Sequence, residues 1–274
     1  MAQRRAAWAP VLLLLLLDVS SSATPPLVEV FSKGESGIAC WRIPAIVDVT
    51  PAPRAQAAHG GTTGTAAGLA QRLLAFAEAR IASCGDDELK MMALKSSDDG
   101  GATWSLPRFI VGDNATRSSK LNSVWNPEPV YDEQTGVVIL AYLRNRTNCL
   151  ARPGHCAAYQ IRSPDGGEHW APPQPLAPAL GKFTNGIRPG PGPALQLTDG
   201  PHKGRLLFSG SYDQLPKAAG ERTVDLVWWS DDGGRNFTLS PSRIYDGDES
   251  ALVPNNIWTT LVHKKRTKTR ISQL

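Results

Sequence analysis

Past residue 23, the 274-residue chain has no apolar run long enough to cross a bilayer, so an internal membrane helix is excluded. Sustained helical periodicity is also missing, and the chain does not read as helical. No basic surface interleaved with aromatics can be traced. The net charge is only +4, and part of it sits in the tail "HKKRTKTR" at 263–270, which reads as a solvated charge run. Nucleic acid is therefore not an expected partner. Cysteine is scarce: the four present allow three pairings.

What is present begins with a leader. Arg4 and Arg5 precede an apolar run centred on Leu12 to Leu17, and small residues follow at Ser21 and Ala23. This is the pattern of a secretory signal peptide, expected to span 1–23. In that compartment "NAT" at Asn114, "NRT" at Asn145 and "NFT" at Asn236 become glycan acceptor sites expected on the surface. An oxidising environment also permits disulfides. Cys149 and Cys156 flank "LARPGH", a Pro/Gly turn, and are expected to bridge across it. Cys40 and Cys84 are left as a second pair or as separate buried thiols.

Through the mature chain, short strand-like runs alternate with turn signals: "RIPAIVDV", "RLLAFAEA", "LKMMALKSS", "PEPVYD", "GVVILAYL", "CAAYQIRS", "GPALQLT", "GRLLFSGS" and "VDLVWWS". With 25 Gly and 22 Pro between and around them, this is an all-β pattern. The Ala/Gly/Thr-rich segment 53–71 reads as an insertion in a hairpin loop.

One turn recurs. "SSDDGGATW", "SPDGGEHW" and "SDDGGRNF" share Ser, Asp two later, Gly two later again, and a closing aromatic. These are Ser97/Asp99/Gly101/Trp104, Ser163/Asp165/Gly167/Trp170 and Ser230/Asp232/Gly234/Phe237, spaced about 66 residues apart. With roughly four strands per period, radially arranged sheets are the economical solution, a β-propeller. The turns are too short for a calcium loop and lack its closing glutamate, so no metal is expected. Instead, each aspartate is expected to accept N–H groups of its own turn while the glycines supply positive φ.

The repeat S-x-D-x-G-x-T-W resembles the Asp box of non-viral sialidases. "WRIPAI" at 41–46 resembles the F/Y-R-I-P motif of their first blade. The stretch 73–104 is similar, in order, to the strand, acid loop and first box of animal lysosomal-type sialidases. The resemblance covers roughly residues 28–250. It implies a six-bladed propeller, of which about four blades would be encoded in 24–253, followed by an atypical basic tail at 254–274.

The same resemblance implies the site. A sialic acid presents an ionised carboxylate, which an arginine recognises as a permanently charged planar fork; Arg42 matches the first of the family's three. Arg80, in "EAR", matches the arginine near the sugar's 4-hydroxyl. Asp86 falls where the family places its general acid/base on a loop, with Asp87 as the alternative. Such a loop carboxyl can be protonated in an apolar, closed site and still be reachable by substrate. Glu249 in "YDGDESALVP" matches the glutamate that polarises the family's tyrosine nucleophile. Asn126 in "VWNPEPVYD" is placed at the pocket rim.

After Glu249 the pattern departs from the family. Arg266 and Arg270 lie in a hydrophilic tail, and Tyr245 precedes the glutamate, so neither the remaining arginines nor the nucleophile is matched. The expectation is an exo-α-sialidase that removes terminal sialic acids from glycoproteins and glycolipids with retention, without a cofactor. As this chain it would be truncated and weakly active or inactive, in the secretory pathway at a lysosomal or extracellular location. The alternative is a non-catalytic propeller fragment that binds sialoglycans.

Overall fold

The computed structural model describes residues 27–50, 71–86, 89–112, 123–145, 156–176, 187–213 and 223–240. Three antiparallel sheets fill them. The first runs β1 (Cys40–Asp48), β2 (Leu73–Arg80), β3 (Lys90–Ser97) and β4 (Arg108–Val111), each beside the next. The second repeats this with β5 (Ser123–Asp132), β6 (Val137–Asn145), β7 (Cys156–Ser163) and β8 (Gln174–Pro175). In the third, β9 (Arg188–Pro189) and β10 (Leu195–Gln196) both pair with β11 (Leu206–Asp213), followed by β12 (Thr223–Ser230) and β13 (Thr238–Leu239). The all-β blade order expected from the repeat is therefore present, with three blades among the described residues. No helix among them is long and apolar enough to cross a membrane.

The blades pack face to face, and the sequence of the middle one follows from that. Strand β6 reads "VVILAYL" without polar alternation because both of its faces are covered. Val138, Leu140 and Tyr142 join Leu74, Phe76, Met92 and Leu94 of the first blade in one cluster. Ile139 and Ala141, on the opposite face, join Phe208, Leu226 and Trp228 of the third. Each such Leu or Phe, fully removed from water, contributes about 2–3 kcal/mol. In β2 the pattern differs: Leu74 and Phe76 face the second blade, while Ala75, Ala77 and Ala79 lie on the other face.

The three Asp boxes connect the third and fourth strands of each blade. Asp99 accepts the Thr103 N–H at 2.9 Å and the Ser97 hydroxyl at 2.7 Å, and Ser97 Oγ accepts the Gly101 N–H at 2.8 Å. Asp165 and Asp232 repeat these bonds with His169 and Asn236, and Ser163 and Ser230 take the Gly167 and Gly234 N–H groups. Gly101, Gly167 and Gly234 all have φ between 78 and 95. Trp104 and Trp170 donate their indole N–H to the carbonyls of Gly101 and Gly167, and Phe237 is buried.

The boxes also do something their sequence does not announce: two of them bind the preceding blade. A Cβ on Gly167 would stand 2.7 Å from Leu74 Cδ1 of the first blade, and one on Gly234 would stand 2.6 Å from Ile139 Cδ1 of the second. Arg72 donates to the Gly166 carbonyl and pairs with both Asp98 and Glu168, bridging box one to box two. Gln160 of the second blade donates to the Gly234 carbonyl at 3.0 Å. Pinning a single hairpin is thus only half of the box's role.

Of the predicted glycan acceptors, Asn236 is exposed, its amide donating to Asp232 Oδ2. Asn145 closes β6, where only its backbone is described, and Asn114 lies outside the described residues. Cys149 lies outside them too, with only the backbone of Cys156 described.

Candidate functional site

The first strand of each blade is broken at a proline, and the breaks mark the site. In β1 the register shifts between Arg42 and Ala45, and in β5 between Trp125 and Glu128. Proline donates nothing to a ladder, so Pro44 and Pro127 are natural places for a bulge. The residue before each has positive φ: 52° at Ile43 and 53° at Asn126. In the third blade, Gly190 takes φ 55° before Pro191. Glycine bears this conformation at no cost, whereas a β-branched isoleucine is strained by about 1–3 kcal/mol. Held strain of this kind concentrates where side chains must be aimed. Here it falls next to Arg42 and on Asn126 itself.

A disulfide between Cys40 and Cys84 fastens the acid loop to the start of β1, with Cα atoms 5.2 Å apart. The sequence left this pairing open; the structure closes it. Two arginines then grip the loop. Arg80 donates through Nη1 to the carbonyls of Cys84 and Gly85, at 2.7 and 2.9 Å, and to Asp86 Oδ1 at 2.7 Å. Arg42 reaches the same Oδ1 at 3.1 Å and the Cys84 carbonyl at 3.4 Å. Lys90, buried beneath the loop, donates to the Asp86 carbonyl and lies 3.3 Å over the Trp125 ring.

Arg80 and Asp86 sit in different settings. Arg80 is only 1 % exposed, and its remaining edge is bound to Glu78 Oε2 through Nε at 3.1 Å and Nη2 at 2.7 Å. An arginine so committed braces the loop. Asp86, in turn, stands in the open beside cations. Its side chain is 60 % exposed, and the hydrogen bond from Arg80, with the charges of Arg80, Arg42 and Lys90, holds its carboxyl below the usual range. Arg42, at 43 %, is the half-open member of the group. The expected Asp87 alternative and Glu249 lie outside the described residues.

Asn126 is half-buried, and its backbone N–H donates to Glu78 Oε1 at 2.9 Å. Glu78 went unnoticed in the sequence, although a single acid inside "LLAFAEAR", two residues from an arginine on the same strand face, was a usable signal. Glu128 was missed too. It is fully buried and accepts the Ser209 N–H at 2.7 Å and the Gly190 N–H at 3.1 Å, tying blade two to blade three. Burial pushes its carboxyl up to about 8. Arg188 of β9, bonded through Nε to Ser211 Oγ at 3.3 Å, adds a cation to the inner strand of the third blade.

Chemically, the first blade presents two guanidinium groups converging on one carboxylate oxygen. That is a carboxylate-binding arrangement, occupied here by Asp86 of the chain itself. Among the described residues, no group of three or more His, Cys, Asp or Glu side chains is placed to hold a metal.

Fold and box geometry together define an Asp-box β-propeller. Residues 71–257 match the BNR repeat-like domain, and the chain belongs to that family. Among solved structures it is similar to the Hadza microbial sialidase Hz136, with 18 % identity and a TM-score of 0.59 over 74 % of this chain and 38 % of that one. The NanB sialidase of Streptococcus pneumoniae aligns at 16 % identity and a TM-score of 0.58, over 81 % of this chain and 47 % of that one. The intramolecular trans-sialidase of Ruminococcus gnavus aligns at 14 % and 0.57, over 77 % and 62 %. This chain therefore spans less than half the length of the first two, and what it shares with all three is a sialidase-like fold.

Proposed function

We propose that this chain carries the first-blade part of an exo-α-sialidase site, with Arg42 as the ligand for the sialic-acid carboxylate and Asp86 as the general acid. One observation carries the proposal: Arg42 and Asp86 pair at the open edge of the strained bulge in β1, with a carboxylate already between two guanidinium groups. A substrate carboxylate that takes Arg42 would compete with Asp86 for that place. Once displaced, Asp86 loses hydrogen bonds that favour its ionised form, and its pKa rises toward the ordinary value. It then becomes able to bring a proton to the leaving glycosidic oxygen. Arg80 acts behind it by fixing the loop, and Asn126 lines the rim.

Retention through a tyrosine nucleophile with Glu249 as its partner belongs to the same proposal, as do sialylated glycoproteins and glycolipids as substrates. Because no tyrosine or further arginine of the chain is matched to those roles, weak or absent turnover is proposed for the chain by itself. The Cys40–Cys84 bridge supports an oxidising, secretory-pathway location, lysosomal or extracellular. A second function is favoured by the pairing of Asp86 with both Arg42 and Arg80: a site that holds its acid against two cations is suited to binding a sialoglycan without cleaving it.

The test is calorimetric binding of 2-deoxy-2,3-didehydro-N-acetylneuraminic acid to the full chain, alongside turnover of a fluorogenic sialoside. Binding abolished by Arg42→Ala is the expected result. Absence of binding by the unaltered chain overturns both readings. Turnover that disappears in Asp86→Asn selects the hydrolase over the binding module.

A further inference from the structure

We infer that Glu78 is a positioning residue that sets both halves of the site at once, the acid loop of the first blade and the Asn126 bulge of the second; this rests on the carboxylate-sugar function proposed above. Its carboxylate is completely buried, so each oxygen must be satisfied by the protein. Oε2 receives two N–H groups from Arg80, at 3.1 and 2.7 Å. Oε1 receives the backbone N–H of Asn126 at 2.9 Å.

Each contact is placed where it controls something further. Seated by Glu78 on its Nε/Nη2 edge, Arg80 has Nη1 turned to the Cys84 and Gly85 carbonyls and to Asp86. The loop geometry that brings Asp86 beside Arg42 thus depends on where Glu78 holds the guanidinium. On the other side, Asn126 sits at φ 53° where the β5 ladder is out of register, and Glu78 supplies an acceptor for its N–H from the neighbouring blade. Glu128 serves the Gly190 N–H, before the proline of the third blade, in the same manner. A buried glutamate whose carboxyl oxygen accepts from the next blade's pre-proline residue is therefore a repeated device. At Glu78 it has been joined to an arginine of the site.

The chemistry demands a carboxylate, since both of its oxygens accept. A glutamine has one accepting oxygen and one donating NH2. It can satisfy either Asn126 or Arg80 but must turn donors toward donors at the other. Loss of one charge-assisted contact of this kind corresponds to about tenfold in affinity for a ligand that needs the aligned site.

The experiment uses the full chain, uniformly 15N-labelled, with Glu78→Gln and Glu78→Asp as variants. Without ligand, the exchange rates of the Asn126 amide and the Arg80 Nε proton are measured. At least one of them is expected to exchange about tenfold faster in each variant. With 2-deoxy-2,3-didehydro-N-acetylneuraminic acid as probe, affinity is expected to fall about tenfold while the unfolding midpoint stays within a few degrees. A purely structural residue would move the midpoint and the affinity together. Unchanged protection of both protons overturns the inference, and so does failure of both variants to fold, which would make Glu78 a core residue only. If the unaltered chain does not bind the probe, the proposed function falls, and the exchange data alone decide the role of Glu78.

Discussion

The Asp boxes and the acid loop are both acidic, glycine-containing turns, yet their carboxylates face in opposite directions. In the boxes, Asp99, Asp165 and Asp232 turn back into their own backbone and accept from neutral N–H and hydroxyl groups within four residues. In the loop, Asp86 turns away from its own turn toward Arg42 and Arg80 of other strands. All four carboxyls sit below the ordinary range, but for different reasons. The boxes are held by local hydrogen bonds, the loop by cations. A carboxylate satisfied by its own turn is scaffold. One satisfied by distant cations can be exchanged for another carboxylate, and that is what a binding site requires.

The largest effect should come from cutting what ties the loop down. The Cys40–Cys84 bridge closes a 44-residue separation, which in the chain-entropy account contributes about 4 kcal/mol. Denaturation of the Cys40→Ser/Cys84→Ser double variant should show a loss of that order. A loss below about 1 kcal/mol would mean that Arg80 and Lys90 hold the loop without the bridge, making it as self-sufficient as a box.

Next come the boxes. Asp165→Ala should lower the unfolding midpoint measurably, because Ser163 and the His169 N–H lose their acceptor where the second box meets the first blade. The acid limb of stability should follow the same groups. Asp99 and Asp232, depressed from 3.8 to about 2, contribute stability above the unfolded value that is lost as pH falls through 2. Glu128 has the opposite sign. Raised from 4.5 to about 8, it favours the fold fully below 4.5 and loses that contribution as pH rises toward 8. Thermal unfolding followed from pH 2 to 9 should therefore peak near pH 4–5, and Glu128→Gln should flatten the alkaline side. A peak at pH 8 would contradict the burial argument for Glu128.

What could be read from the sequence divides along the same line. The box is a local device whose ligands lie within eight residues, so its letters suffice to place Ser, Asp, Gly and the aromatic. The long strands β2, β3, β6, β7, β11 and β12 were legible for a similar reason, being apolar runs between turn signals. The outer strands β4, β8 and β13 were not; at two to four residues each they carry too little pattern. At the site, Arg42 and Asp86 stood out through motif resemblance, but their pairing did not. The commitment of Arg80 to the loop was hidden because it depends on Glu78 and on the loop's own carbonyls. Glu78 and Asn126 are 48 residues apart and meet only because adjacent blades stack.

The smallest effect on stability, and the sharpest on the comparison, belongs to Asp86→Asn. Arg42 and Asp86 are both well exposed, and a pair of that kind is worth under about 1 kcal/mol. Arg80 keeps Glu78 and the two loop carbonyls, so no buried cation is left alone. The unfolding midpoint should therefore hardly move, in contrast with Asp165→Ala. Binding should respond in the other direction from a structural lesion. With the internal carboxylate neutralised, Arg42 is freed, and the sialic-acid analogue should bind a few-fold tighter, most clearly near neutral pH, where Asp86 is fully ionised in the unaltered chain. As pH falls and Asp86 itself takes up a proton, the two proteins should converge. If Asp86→Asn binds the analogue more weakly at every pH, then Asp86 is part of the ligand's own contact set rather than its rival, and the contrast between self-satisfied and exchangeable carboxylates fails at the point where it matters.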